Sequence, residues 1–379
     1  MLETDRNWLR RFRRNVTRWY GQHARDLPWR RSGDPYRIWI SEIMLQQTTV
    51  AAVIPYFERF LNRFPTLTKL AAAPENEVLR HWEGLGYYSR ARNLHKTAKR
   101  LVNKGDARLP NDPAELIGLP GIGRYTAGAI ASCAFDVRAP ILEANTSRLY
   151  SRLVAFRGDP KSTAGQTQLW EFAERILPTK SPGQFNQALM DIGATVCTPE
   201  DPKCKPCPVR SCCQAFAENA QSEIPVAKKR PQIKQLTEAT VAVWKNGSLL
   251  LRQRQAGEWW AGLWDFPRFR LDNSPSSKKG KRRGRGNGSA TVDPRLATEL
   301  CTAVADQTGI NAAGHEFLTE LRHTVTHHRI RLLCFSASYQ GGRLKVGRHQ
   351  QWVPVASLAG YPLSTTGREV ANLVGNAQP

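Results

Sequence analysis

The chain has 379 residues, 41% of them apolar, enough for two or three domains with real cores. Lysine and arginine total 55 against 32 acids, and the net charge of +23 favours a polyanionic partner, nucleic acid before an acidic membrane surface. No apolar run reaches the roughly 18 residues of a membrane span, and the opening MLETDRNWLRRFRR lacks a signal peptide's apolar core, so an intracellular, cytoplasmic protein is expected.

Residues 7–20 place Trp8, Phe12, Val16, Trp19 and Tyr20 at helical spacing between arginines, an amphipathic helix with a core-facing stripe. The turn-rich segment 26–37 holds Trp29 and Arg30 between helices, where they can line a cleft, although Trp29 also suits packing. Residues 38–50 (IWISEIMLQQTTV) contain no turn former and carry Glu42 in apolar company. A carboxyl in such surroundings tends to hold a proton, which is what a general acid needs near neutral pH. An exposed helical glutamate is the competing reading. Gln46 and Gln47 follow, uncharged but able to bond base edges or wedge into a base stack. Residues 51–80 continue as helix. In WEGLGYYSRARNLHK (82–96), a glycine turn followed by Tyr87, Tyr88 and arginines suits a DNA-facing loop, or else an ordinary turn with core tyrosines.

Residues 115–148 form the informative stretch. Leu119-Pro120-Gly121-Ile122-Gly123 reads as a hairpin between two helices, its two glycines expected to take positive backbone angles. Leu119, Gly121 and Gly123 would leave amides bare at a helix start, a setting that favours a phosphate. A lone acid, Glu143, lies about twenty residues on. Residues 148–196 read as helix, so the first 215 residues show no convincing strand. Five of the eight cysteines then crowd together. Cys197-x6-Cys204-x2-Cys207-x5-Cys213 offers four thiolates for one centre, either zinc or an iron–sulfur cluster. Spacing makes Cys213 the fourth ligand and Cys212 a bystander. Cys133, Cys301 and Cys334 are isolated and are expected in cores.

Residues 217–236 read as a polar linker, and the texture then changes. Residues 237–254 alternate around Asn246-Gly247, a β-hairpin signal. In 272–290 a basic loop carries six basic residues among the eight from 278 to 285. PRLATELCTAVADQTG reads as a helix, and HTVTHHRIRLLCFSASY and LKVGRHQQWVPV as strands. The expected fold is therefore a mainly α N-terminal part followed by a smaller α+β domain.

Together LPWR, DPYRIWISEIMLQQT, WEGLGYYSRARNLHK, LPGIGRYTAGAI, FNQALMDIGATVC and the cysteine pattern, across most of residues 25–213, resemble the adenine DNA glycosylases of the MutY type. These stand among the helix-hairpin-helix glycosylases, with endonuclease III. The resemblance implies a helix-hairpin-helix glycosylase domain over 1–216, a linker over 217–236 and a Nudix-like lesion-recognition domain over 237–375. It implies a 4Fe-4S cluster on Cys197, Cys204, Cys207 and Cys213. It also implies a monomeric base-flipping enzyme that hydrolyses the N-glycosidic bond of adenine opposite 8-oxoguanine or guanine in double-stranded DNA. Glu42 matches the glutamate that protonates the leaving adenine, and Tyr125 a tyrosine near the sugar. Trp29, Arg30 and Gln187 match the adenine pocket, and Gln47 and Tyr87 the residues that wedge into the duplex. The family's Phe-Ser-His recognition loop aligns with Val325-Thr326-His327, so Thr326 keeps the hydroxyl while Val325 loses an aromatic. A catalytic lysine and an acid-rich Nudix box are both missing, which implies neither efficient strand cleavage nor pyrophosphate hydrolysis. The main departure is Leu142-Glu143-Ala144-Asn145, where the family has Leu-Asp-Gly-Asn, so Glu143 is expected to take the aspartate's role at the sugar. Competing expectations are a weakened lesion-binding protein, a mismatch thymine glycosylase, and a plain redox or zinc protein.

Overall fold

The computed structural model describes residues 5–226, 232–271, 292–347 and 349–376. They form two compact units, Met1–Ala73 with Ser89–Lys229, and Pro74–Tyr88 with Arg230–Pro379. The basic loop expected over 272–290 lies outside the described residues.

The first unit is helical throughout its described residues. It opens with α1 (Arg6–His23), α2 (Pro35–Leu45), α3 (Val50–Arg63) and α4 (Leu67–Ala72), while α5 (Glu75–Trp82) belongs to the second unit. It continues with α6 (Ser89–Asn103), α7 (Pro113–Ile117), α8 (Arg124–Phe135), α9 (Ala144–Leu153), α10 (Thr163–Ile176), α11 (Pro182–Thr195) and the short α12 (Gln214–Ala217). Local chemistry sets most of the starts. Asp5, Asp34, Thr49, Thr66, Asp112 and Ser162 each cap a helix by accepting from a first-turn amide. The stripe of α1 packs as its spacing demands, with Phe12, Val16 and Tyr20 buried in a core shared with α9, α10 and α11.

Between α7 and α8 the hairpin departs from expectation at one glycine. Gly121 alone has a positive φ (79°), and a side chain there would press to 2.7 Å from Asn93 Cβ. Gly123 is extended (φ −90°, ψ 176°) and caps α8 with no side-chain bond, because its work is to let the chain enter the helix rather than to reverse it. Farther on, Gly193 brings α11 onto α9, since a Cβ would sit 2.8 Å from Asn145 Cβ.

The second unit is built on one mixed sheet. Its strands are β1 (Lys234–Lys245), β2 (Ser248–Gln253), β3 (Trp264–Asp265), β4 (Arg268–Arg270), β5 (Ile310–Val325), β6 (His328–Gly342) and β7 (Gln350–Pro354). The central order is β3-β2-β1-β6-β5, with β4 on β1 and β7 on β2. Asn246 and Gly247, both at positive φ, close the β1–β2 hairpin in register Lys245↔Ser248. The period of two along β1 feeds both sheet faces. Ala239, Val241 and Val243 join Leu300 and Val304 of α13 (Pro294–Thr308), and Ala242 joins Val370 and Val374 of α14 (Thr365–Asn376). Segment 74–88 is tied to α14 by Glu83, whose carboxylate accepts from Arg368 Nε at 2.8 Å.

Two strand readings need correction. HTVTHHRIRLLCFSASY is not one strand. It is the end of β5, a two-residue turn at Thr326-His327 with Thr326 at φ 51°, and β6, in register Val325↔His328. Of LKVGRHQQWVPV only Gln350–Pro354 is strand. In the first case apolar alternation runs across a turn that carries neither glycine nor proline at its tip, and in the second the chain turns at Gly347, at φ 77°, before the strand begins.

Candidate active site and cysteine centre

A pocket of about 540 Å³ opens among α2, α8, α9 and α11 of the first unit. It brings together Trp29, Arg30, Glu42, Gln47, Tyr125, Glu143 and Gln187, seven of the residues singled out from the sequence. Each has a local reason to be there.

Glu42 sits on the buried face of α2 between Ser41 and Ile43 and is 6% exposed. Tyr125, in the first turn of α8, donates its hydroxyl to Glu42 Oε2 at 2.8 Å. Burial pushes the Glu42 carboxyl up to about 7; the Tyr125 bond and Arg30 pull it back, and Glu143 adds to the rise. The Tyr125 phenol is held far above its ordinary value, by burial first and then by Glu42, so it acts as a donor. The pair can therefore present a protonated carboxyl near neutral pH, and the exposed-glutamate alternative does not hold.

Glu143 is the N-cap of α9. Its Oε2 accepts from Asn145 N (2.8 Å) and Asn145 Nδ2 (3.2 Å), and its Oε1 from Thr146 N (2.8 Å). Thr146 Oγ1 accepts from the Glu143 amide in return, completing a capping box. Burial raises this carboxyl too, against the hydrogen bonds and Arg148. All three donors are N–H groups, so they bind the ionised form. The two acids thus face one pocket in different settings, one against a phenol and apolar walls, the other in a nest of N–H donors.

Trp29 is buried edge-on to Phe57, so it packs as well as lining the pocket. Arg30 forks onto Asp191 (2.8 and 3.0 Å), which also takes Arg25 Nε at 2.7 Å. Asp191 is fully buried and its carboxyl lies below the usual range; burial alone would raise it, and its two arginines overcome that. Gln187 Oε1 accepts from Tyr20 OH at 2.6 Å. Gln47 stands at the rim, exposed and at φ 57°.

The pocket also holds residues the sequence reading missed. Asn145 supports Glu143 and takes Arg148 on its Oδ1 at 2.9 Å. Met190 meets the Tyr125 hydroxyl at 3.5 Å. Asp191, one helical turn beyond Gln187 and outside the pocket lining, was also missed. Cys133 was expected in a core, yet it lines the pocket as a thiol pushed up to about 11, by burial and then by Glu42. The small residues of ASCAF let α8 pass close to the cleft, and a pattern of apolar spacing does not reveal which wall a small residue joins.

Other singled-out residues lie elsewhere. Leu119, Gly121 and Gly123 form the α7–α8 hairpin outside the pocket lining. Tyr87 is 50% exposed at φ 46° in the second unit, whereas Tyr88 is buried. Thr326 and His327 are exposed at the β5–β6 turn. Val325 and Thr324 line a separate cavity of about 350 Å³ with Trp260 and His323.

Cys197, Cys204, Cys207 and Cys213 line one small cavity walled by Leu149, Val196 and Val209. Cys212 points into the helical core instead. Among the described residues no three His, Cys, Asp or Glu side chains stand close enough to share a single ion. Four cysteine sulfurs lining a common space are a donor set that zinc and an iron–sulfur cluster both accept. Burial pushes the Cys207 thiol up to about 12 and the Cys213 thiol to about 11.

Comparison with known proteins agrees with both units. Residues 40–175 match the HhH-GPD superfamily of base excision DNA repair proteins, and residues 239–373 match the NUDIX domain. The first unit's fold is similar to a thermostable thymine-DNA glycosylase (28% identity, TM-score 0.53, covering 57% of this chain and all of that one). Adenine DNA glycosylase of Rattus norvegicus is 43% identical over 233 residues, which cover 59% of this chain and 45% of that protein, so the chain spans about half that relative's length. The adenine DNA glycosylase of Buchnera aphidicola subsp. Schizaphis graminum is 39% identical over 259 residues, 68% of this chain and 75% of the relative. With a helix-hairpin-helix unit, a Nudix-like unit and likeness over three quarters of a named relative, the chain belongs to the adenine DNA glycosylase family.

Proposed function

We propose that the protein removes adenine mispaired with 8-oxoguanine or guanine from double-stranded DNA, hydrolysing the N-glycosidic bond after the base is flipped out of the duplex. The observation that carries this reading is Glu42, buried, bonded to Tyr125 and raised to about 7, in a pocket shared with Glu143. Adenine is a poor leaving group, and its glycosidic bond is out of reach inside a stacked duplex. Glu42 gives its proton to the departing base, and Tyr125 holds the carboxyl in place. Glu143, ionised in its N–H nest, stabilises the positive charge that develops on the sugar. Trp29 and Gln187 wall and orient the base, with Arg30 held to Asp191 beside them.

In this reading the extended Gly123 start of α8 and the bend at Gly121 grip a DNA phosphate, and Gln47 and Tyr87 enter the base stack. Thr326 and His327 read the oxidised guanine from the β5–β6 turn. The domain plan is a glycosylase domain over 1–216, a linker over 217–236 and a lesion-reading domain over 237–375, working as a monomer on DNA inside the cell. With Tyr125 on α8 and no lysine in the catalytic set, strand cleavage is not part of the activity. Cys197, Cys204, Cys207 and Cys213 hold a 4Fe-4S cluster, which when bound supplies the positive charge that keeps four thiolates together and fixes the loop 197–213 against α9.

Base release from duplexes carrying A:8-oxoguanine, A:G, A:C and T:G tests this directly. Adenine release, fastest opposite 8-oxoguanine, is expected. Release of thymine would overturn the substrate assignment, and lesion binding without any release would overturn the activity.

A further inference from the structure

The cysteine centre contains a charge that the ligand set does not explain. Arg152, near the C-terminal end of α9, is 3% exposed. Among the described residues it forms no ion pair with any carboxylate. Its Nε donates to Ile224 O (2.8 Å), its Nη1 to Thr198 O (2.7 Å) and to Cys197 Sγ (3.3 Å), and its Nη2 to Pro199 O (3.1 Å). Cys213 Sγ in turn contacts the Arg152 carbonyl at 3.4 Å. The same guanidinium lies within electrostatic reach of Cys204, as does that of Arg210.

A buried guanidinium without a counter-anion is costly, and carbonyl dipoles relieve only part of that cost. The groups around it that can become anionic are the cysteine sulfurs. We propose that Arg152 is a positioning and charge-balancing residue for the cluster, resting on the reading that these cysteines hold one. Its N–H aimed at Cys197 Sγ and its positive charge stabilise the thiolate-ligated cluster, most strongly in its more negative, reduced form. Its remaining donors pin the loop through Thr198, Pro199 and Ile224. Arg148, one turn earlier, bonds the Cys197 carbonyl rather than a sulfur, so the two arginines differ in task.

The test compares the purified full chain with its Arg152→Lys and Arg152→Gln variants, all loaded with iron and sulfide. Iron content, the rate of cluster loss to a chelator, and the reduction potential from a spectroelectrochemical titration are read on each. Arg152→Lys keeps the charge but not the fork, and should lose the cluster faster while holding a near-native potential. Arg152→Gln removes the charge, and should shift the potential downward in whatever fraction stays loaded. A guanidinium that only staples carbonyls would change loading and leave the potential of the loaded fraction where it was. Native potential in both variants therefore overturns the proposal, whatever happens to stability. Wild-type protein that takes up no iron overturns the cluster reading beneath it instead.

Discussion

Replacing Glu42 by glutamine should separate chemistry from folding in an unusual way. In the fold the carboxyl titrates at about 7 against an ordinary 4.5, because burial disfavours its charge. An acid raised in the folded state adds stability that is fully present below about 4.5 and is lost as pH rises through about 7. The shift of ~2.5 units, at about 1.4 kcal/mol each, makes that loss ~3 kcal/mol above neutrality. Glutamine keeps an oxygen for the Tyr125 hydroxyl and has nothing to ionise. Glu42→Gln should therefore lose about 10²–10⁴-fold in single-turnover adenine release. It should also gain on the wild type by ~3 kcal/mol between about pH 4.5 and pH 8.5 in urea unfolding. Circular dichroism, dominated by the helical unit, follows that comparison, and only the pH-dependent part of the difference counts. Duplex binding should persist, and wild-type release should fall as pH rises past about 7. A stability difference flat across that range would mean the acid is not raised, and native release from the variant would mean it is not the proton donor.

Glu143→Gln should slow release sharply while costing about 1 kcal/mol as a poorer cap of α9, whereas Glu143→Asp should keep activity; undiminished single-turnover release by the glutamine variant would refute the charge role. Cys213→Ser should lose iron, seen as lost visible absorbance, while Cys212→Ser keeps it; the reverse would exchange ligand and core residue. Gly121→Ala should cost roughly 1 kcal/mol or more for its positive φ and the contact with Asn93, and weaken duplex binding in a filter or anisotropy assay. Native affinity in that variant would remove the hairpin from the DNA contact.

Much of this architecture was visible in residue order because local chemistry and global fold agree. The spacing of Trp8, Phe12, Val16 and Tyr20 announces a helix that forms. Asn246-Gly247 announces a hairpin that closes as its turn chemistry requires. Glu42 stood out because a charged residue amid Ile40, Ile43 and Met44 has few places to go. What was hidden depends on distance through space. Cys133 reads as core until α8 is laid beside α11, and Asp191 reads as one more helical acid until Arg25 and Arg30 converge on it. Arg152 carries no local mark at all. The split of 323–339 into two strands was concealed because Thr326 takes a positive φ that its residue type seldom signals.

The β5–β6 hairpin sets a rule for how its tip can vary. Its irregularities fall at the far end, between Asn311 and Thr319, while pairing from Thr319 to the turn runs without a break. The register shifts lie away from the turn, and the pairing next to Thr326 and His327 is regular. Side chains at the tip can be exchanged one for one without moving any neighbour across the sheet. Adding or removing a single residue there would throw His323 and His328 to opposite faces along with everything paired to them. Across relatives, the tip should therefore hardly differ in length.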